Sequence, residues 1–121
     1  MLVTGNIFDQ FNAITEYWSP KVVADVNDEY VKLAKFKGEL MWHDHGQEDE
    51  MFFVIKGSFD LHLEDEVITL SEGDFYVVKK GIKHKPVAKE ECFVMLIEKK
   101  ETKHTGNKVS SHTKSIEEQL N

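Results

Sequence analysis

His43 and His45 stand two residues apart in the run Leu40-Met41-Trp42-His43-Asp44-His45-Gly46. Side chains at i and i+2 of a strand share a face. On a strand the two imidazoles project side by side from Cα atoms about 7 Å apart, close enough to converge on one ion. Gly46 lets the chain turn, and the run Glu48-Asp49-Glu50 can bring a carboxylate beside them. His84, in the loop that follows Gly81, offers a third imidazole. Three neutral imidazoles and one carboxylate suit Zn, Fe, Ni, Mn or Cu. Taken singly these residues are unremarkable. A lone His-x-His often decorates a surface strand, an acidic turn is usually solvated, and His84 lies among Lys79, Lys80, Lys83 and Lys85. Their order and spacing together point to a metal site.

Such a site needs elements to hold it. Asn6 is placed to cap a short helix, with Ile7, Phe8, Phe11 and Ile14 at helical spacing and Ser19-Pro20 as the stop. From there to about Lys99 the pattern is strand and turn. Strands are expected at 22–26, 30–36, 40–45, 51–55, 59–63, 67–70, 75–78, 85–88 and 92–97, punctuated by Asn27-Asp28, Gly46, Gly57, Asp65-Glu66 and Gly73-Asp74. Phe59-Asp60-Leu61-His62-Leu63 alternates cleanly at period two. Short strands without helical pattern between them predict an all-β sandwich or barrel. The polar stretch 102–121 reads as an extended tail with a short helix at Ser115 to Leu120.

Here the sequence resembles the cupin superfamily. The first cupin motif is a glycine, a His-x-His, a glutamate and a further glycine, and Gly38, His43, His45, Glu50 and Gly57 fill those places, with the first gap one residue short. Glu50 fits the spacing to Gly57 better than Glu48 does. In the second motif Gly73, Gly81 and His84 match, while Lys79 stands where proline is usual and Ala88 where asparagine is usual. The departures fall at scaffold positions. The resemblance covers about residues 20–100, and 21–99 looks most like small bacterial cupins loosely related to phosphomannose isomerase. It implies a double-stranded β-helix (jelly-roll) barrel, with a short N-terminal helix and an extended C-terminal tail. It also implies a metal site of His43, His45, Glu50 and His84 holding one divalent transition ion. The whole of 1–121 is then one cupin domain, with its barrel core at about 20–100 and the tail at 102–121.

Strand phase suggests what surrounds the ion. Met41 shares parity with the two histidines, Phe52 and Val54 with Glu50, and Pro86 with His84. Met41, Phe52 and Pro86 are the candidate lining of a small substrate pocket, and Val54 is read as core. Trp42 has the opposite parity and is expected to pack between sheets or at a dimer contact. Met51, Phe53 and Ile55 give the Glu50 strand a second apolar face, which calls for another sheet or another subunit. His62 is expected at the surface, and His104 and His112 in the tail are not expected to be ligands. Tyr76 and Lys79 are possible proton donors, each more simply read as ordinary core or surface.

The 15 cations, all Lys, face 22 Asp+Glu, for a formal charge of -7. An acidic chain without Arg is a poor partner for nucleic acid, which demands clustered cations. It also lacks the side chain best suited to bidentate phosphate recognition, which disfavours a sugar-phosphate isomerase. The single Cys92, set beside 93–97 (Phe-Val-Met-Leu-Ile), reads as a buried structural thiol. No apolar run approaches the roughly 20 residues of a membrane span. The expectation is a cytoplasmic homodimer without nucleic-acid or membrane partners that takes a small-molecule ligand or substrate. Cupins with this ligand set include dioxygenases, decarboxylases and isomerases. The alternative is a non-catalytic cupin that binds or senses a small ligand.

Overall fold

The strand His84–Lys99, the seventh in chain order, organises the molecule. In the computed structural model, which describes residues 1–102, 105–106 and 113–120, the elements are α1 (Ile7–Asn12), β1 (Lys21–Val26), β2 (Glu29–Glu39), β3 (Glu50–Lys56), β4 (Ser58–Leu63), β5 (Val67–Ser71), β6 (Phe75–Val78), β7 (His84–Lys99) and α2 (Ile116–Leu120). The second half of β7 lies between β2 and β3, while its first half pairs with β4 and with the end of β2. Every pairing of named strands is antiparallel. The order is β1-β2-β7-β3-β6, with β4 and β5 branching from β7, and the result is an all-β jelly roll.

Where 85–88 and 92–97 were expected as two strands, one continuous strand crosses both. Phe36 pairs with Cys92 and Gly38 with Ala88, so Lys37 alone faces Lys89, Glu90 and Glu91. Extra residues on one side of a ladder bend that strand. The exposed Lys89-Glu90-Glu91 bulge thus lets β7 pass from one sheet to the other without ending. Gly57, at φ 86°, closes the β3–β4 turn against this bulge. A Cβ there would lie 2.9 Å from the Glu91 carbonyl oxygen, so only glycine allows the approach.

The expected strand at 40–45 is a second difference. It is an extended segment held by one bridge, His43 to His84, and by the Leu40 amide donating to the Pro86 carbonyl. The segment runs along the same edge of β7 as β2, while Asp60 to Leu63 of β4 pair along the opposite edge.

Period-two alternation places Phe59 and Leu61 of β4 in the main core, with Phe36, Phe52 and Val94. Phe36 meets Phe59 edge to face with ring centroids 5.1 Å apart. A second cluster forms under α1. The Asn6 side chain accepts from the Phe8 and Asp9 amides and so starts the helix. Phe11 then stacks on Phe93 at 4.5 Å. Ile55, on the second face of β3, packs against this cluster, so α1 and its surroundings partly supply the cover that strand requires. Cys92 is buried in the main core, and burial pushes its thiol up to about 12. No helix among the described residues is long and apolar enough to cross a membrane. His104 and His112 lie outside the described residues.

Candidate metal centre

His43 and His45 come from the extended segment after β2, Glu50 is the first residue of β3, and His84 is the first residue of β7. All four are buried. Each contributes a ligand-type atom, and these atoms all lie within 4.8 Å of one another. Two donors bound to one ion at about 2.1 Å each are at most about 4.2 Å apart, so the cluster is near the size that one ion requires. The approach has a backbone cause. The His43 amide donates to the His84 carbonyl at 3.0 Å and the His84 amide returns the bond at 2.9 Å. His45 is held by the Gly81 amide, which donates to its carbonyl at 2.8 Å.

The rings are also aimed. His43 Nδ1 lies 2.9 Å from the Met41 carbonyl oxygen, and His84 Nδ1 lies 2.9 Å from that of Ile82. A carbonyl accepts only, so Nδ1 carries the hydrogen in both rings and Nε2 presents a bare lone pair. The Nε2 atoms of His43, His45 and His84 and Oε1 of Glu50 are buried with no hydrogen-bond partner. Glu50 Oε1 is 3.3 Å from His45 Nε2 and 3.5 Å from His84 Nε2. Four orphaned polar atoms around one point are costly in a protein interior, and a cation satisfies all of them together. The donor set therefore fits a transition metal.

The electrostatics divide the ligands. Burial, helped by the neighbouring His84, lowers His43 to about 4. Burial also pushes His45 down, but the close approach of Glu50 and the charges of Glu50, Glu48 and Asp44 outweigh it and leave this imidazole above its ordinary value. For Glu50, burial favours the neutral acid, yet the neighbouring Glu98, His45 and His84 hold the carboxyl well below the usual range.

Beside His43 and Glu50 opens a narrow cleft walled by Trp18, Phe36, Leu40, Phe52 and Pro86. It offers about 20 Å³ to a water-sized sphere, room for one water.

Residues 30–98 match the cupin-2 family, a cupin domain. The chain belongs to this family. A cupin-2 domain protein of Shewanella frigidimarina is 46% identical, with a TM-score of 0.77 over 78% of this chain and 92% of that one. NMB1881 of Neisseria meningitidis is 32% identical, with a TM-score of 0.74 over 79% and 98% of the two chains. The uncharacterized protein YdbB of Bacillus subtilis is 33% identical over 81 residues, which is 66% of this cupin and 72% of YdbB.

Of the pocket residues expected from phase, Phe52 and Pro86 line the cupin's cleft. Met41 is half-buried and is not among the lining residues, where Leu40 stands instead. The segment lacks a full ladder to keep its phase, so Leu40 turns inward while Met41 does not. Trp42 is partly exposed, and His62 is half-buried on β4 opposite Val67 and Lys85. Tyr76 packs against the main core, and Lys79 is paired with Asp49 at 2.6 Å. Trp18, Pro20, Phe36, Leu40 and Leu96 also line the cleft and were not read as pocket residues from the sequence, and Trp18 among them has the most distinctive setting. Its backbone adopts φ 57°, its ring stacks on Phe36 at 4.4 Å, and its Nε1 donates to the Lys37 carbonyl.

The divided electrostatics predict a pH dependence. A metal and a proton compete for each Nε2. A raised imidazole keeps its proton to higher pH, so His45 is the ligand that resists the ion first as pH falls. His43, neutral down to about pH 4, costs nothing in that range. Zn²⁺ affinity should therefore decline as pH falls from about 8 to 6, approaching tenfold per pH unit for one competing proton. Competition titrations that stay flat over this range would contradict the assignment of His45.

Proposed function

We propose that this cupin holds one divalent transition metal ion on His43, His45, Glu50 and His84. The ion serves an open position to a small molecule that enters by the cleft at Leu40, Phe52 and Pro86. The observation that carries this reading is the convergence of four buried, unpartnered ligand atoms within 4.8 Å, two of them aimed by backbone carbonyls. A bound ion with an open position supplies Lewis acidity or a site for dioxygen. The protein's own part is to aim Nε2 of His43 and His84 at the site, to keep Glu50 ionised, and to limit water at the site to what a cleft of one water's size admits.

The cleft wall favours a small, largely apolar molecule over a phosphorylated one. The chain has no Arg, and two of the lysines near His84 are engaged, Lys79 with Asp49 and Lys85 with Glu39. An oxygen-dependent reaction on such a molecule is therefore a better match than sugar-phosphate isomerisation. Non-catalytic capture of the same kind of molecule against the same apolar wall is the second reading.

Elemental analysis of purified protein, joined to mass spectrometry of co-purified small molecules, tests the reading. About one transition ion per chain is the expected result. Oxygen uptake by the Fe²⁺-loaded protein with the recovered molecule would favour catalysis, and its unreacted release would favour capture. A preparation that cannot be loaded with any transition ion would overturn both. The exposed Phe75 and Val77 on β6, beside the half-buried Met51 and Phe53 of β3, make this face the place where a second copy docks in a homodimer. Light scattering should then give about twice 14.0 kDa.

A further inference from the structure

Behind Glu50 lies a second buried cluster that the four ligands leave unexplained. Lys32 of β2 is fully buried. Its ammonium nitrogen lies 2.8 Å from Glu98 Oε1, 3.2 Å from the Thr102 carbonyl oxygen and 2.5 Å from Gln119 Oε1. An ammonium has three hydrogens to donate, and three acceptors surround this one. Two of the three come from the C-terminal segment. Glu98 of β7 lies directly opposite Glu50 in the β3–β7 ladder, so the two buried carboxyl groups stand side by side on one face of the sheet.

The same segment reaches the histidines from another side. Gly106, at φ 62°, is buried against the backbone of Asp44, and a Cβ there would lie 2.0 Å from the Asp44 carbonyl oxygen. Asp44 is the residue between His43 and His45. Two separate contacts thus join the C-terminal segment to the backing of Glu50 and to the support of the paired imidazoles.

We propose that Thr102, Gly106 and Gln119 back the metal site from outside, and that Gln119 and Lys32 are positioning residues that act on Glu50 through Glu98. The proposal rests on the metal reading given above. A buried ion pair is a weak source of stability, since apolar residues of the same volume often serve as well. Its use here is directional. Lys32 anchors one Glu98 oxygen, Glu98 then fixes Glu50, and Gln119 with Thr102 completes the shell that keeps Lys32 in place.

The test is Co²⁺ binding by the full chain, read by competition titration and by the visible d–d bands of the bound ion. Gln119→Met keeps the volume and removes the acceptor, and Gln119→Glu keeps an acceptor. Gly106→Ala probes the Asp44 contact independently. Loss of a group that orients a ligand typically weakens metal binding by about tenfold to a hundredfold. That loss, with shifted d–d bands, is expected for Gln119→Met and Gly106→Ala, each confirmed as folded by its far-UV spectrum, while Gln119→Glu should restore much of the affinity and the wild-type bands. Wild-type affinity and bands in both Gln119→Met and Gly106→Ala would overturn the proposal alone. A wild-type protein that takes up no Co²⁺ would overturn it together with the metal reading.

Discussion

Replacing His84 by alanine should strip the protein of nearly all its metal. Dividing a typical structural-site binding energy of about 10–16 kcal/mol over four ligands puts the loss at roughly two to three orders of magnitude in affinity. His84 has no way to be replaced by a neighbour. It is fully buried, its Nδ1 is engaged with Ile82, and its backbone is bridged to His43. His45→Ala should act similarly. His62→Ala should leave metal content unchanged, because His62 sits on β4, apart from the cluster. Loading the wild type with ion at a thousand times its Kd should stabilise the fold by about 4 kcal/mol, and at the same ion concentration His84→Ala should keep only about 0.4–1.4 kcal/mol of that increment. Equal metal in the wild type and in a His43→Ala, His45→Ala double variant would remove the site from these residues altogether.

The second large effect is expected at Trp18. Its ring is buried, forms one wall of the cleft and stacks on Phe36. Truncation of a buried Trp to Ala costs about 3–5 kcal/mol. Both residues pay the same strain for the left-handed backbone at φ 57°, so Trp18→Ala isolates the ring. The variant should melt at lower temperature and carry an enlarged apolar cleft next to His43 and Glu50. Such cavities accept apolar guests. Added indole should therefore recover part of the lost stability. A variant that melts like the wild type would show that the ring does not brace the barrel.

The ligand spacing was readable because each of the four residues belongs to a short, local pattern. His43 and His45 announce a shared direction, and the intervals to Gly57 and from Gly81 select Glu50 and His84. The cap at Asn6 and the alternation around Phe59 and Leu61 were equally local. Pairing was harder to read. Nothing within residues 40–45 says that the segment meets β7 through one bridge and the Leu40 amide rather than a full ladder, so Met41 was expected in the cleft and Leu40 stands there. The Lys32–Glu98 pair left a signal that went unused. Lys32 has the parity of Tyr30, Ala34 and Phe36, and Glu98 that of Cys92, Val94 and Leu96, all of them buried. A Lys and a Glu, each in phase with an apolar face, are candidates for a buried pair, but their partnership depends on the β2–β7 register.

Because β7 is the common partner of β2, β3 and β4, the fold cannot close vectorially. As the chain leaves the ribosome, β1 can meet β2, β3 can meet β6 and β4 can meet β5, yet each of these ladders waits for a strand whose last residue is Lys99. Until then the nascent chain carries open hydrogen-bonding edges, which are templates for association with other chains. Long-range pairings of this kind slow folding, since loop closure is paid for before the contacts form. His84 also arrives only with β7, so a complete set of four ligands is one of the last things synthesis can deliver.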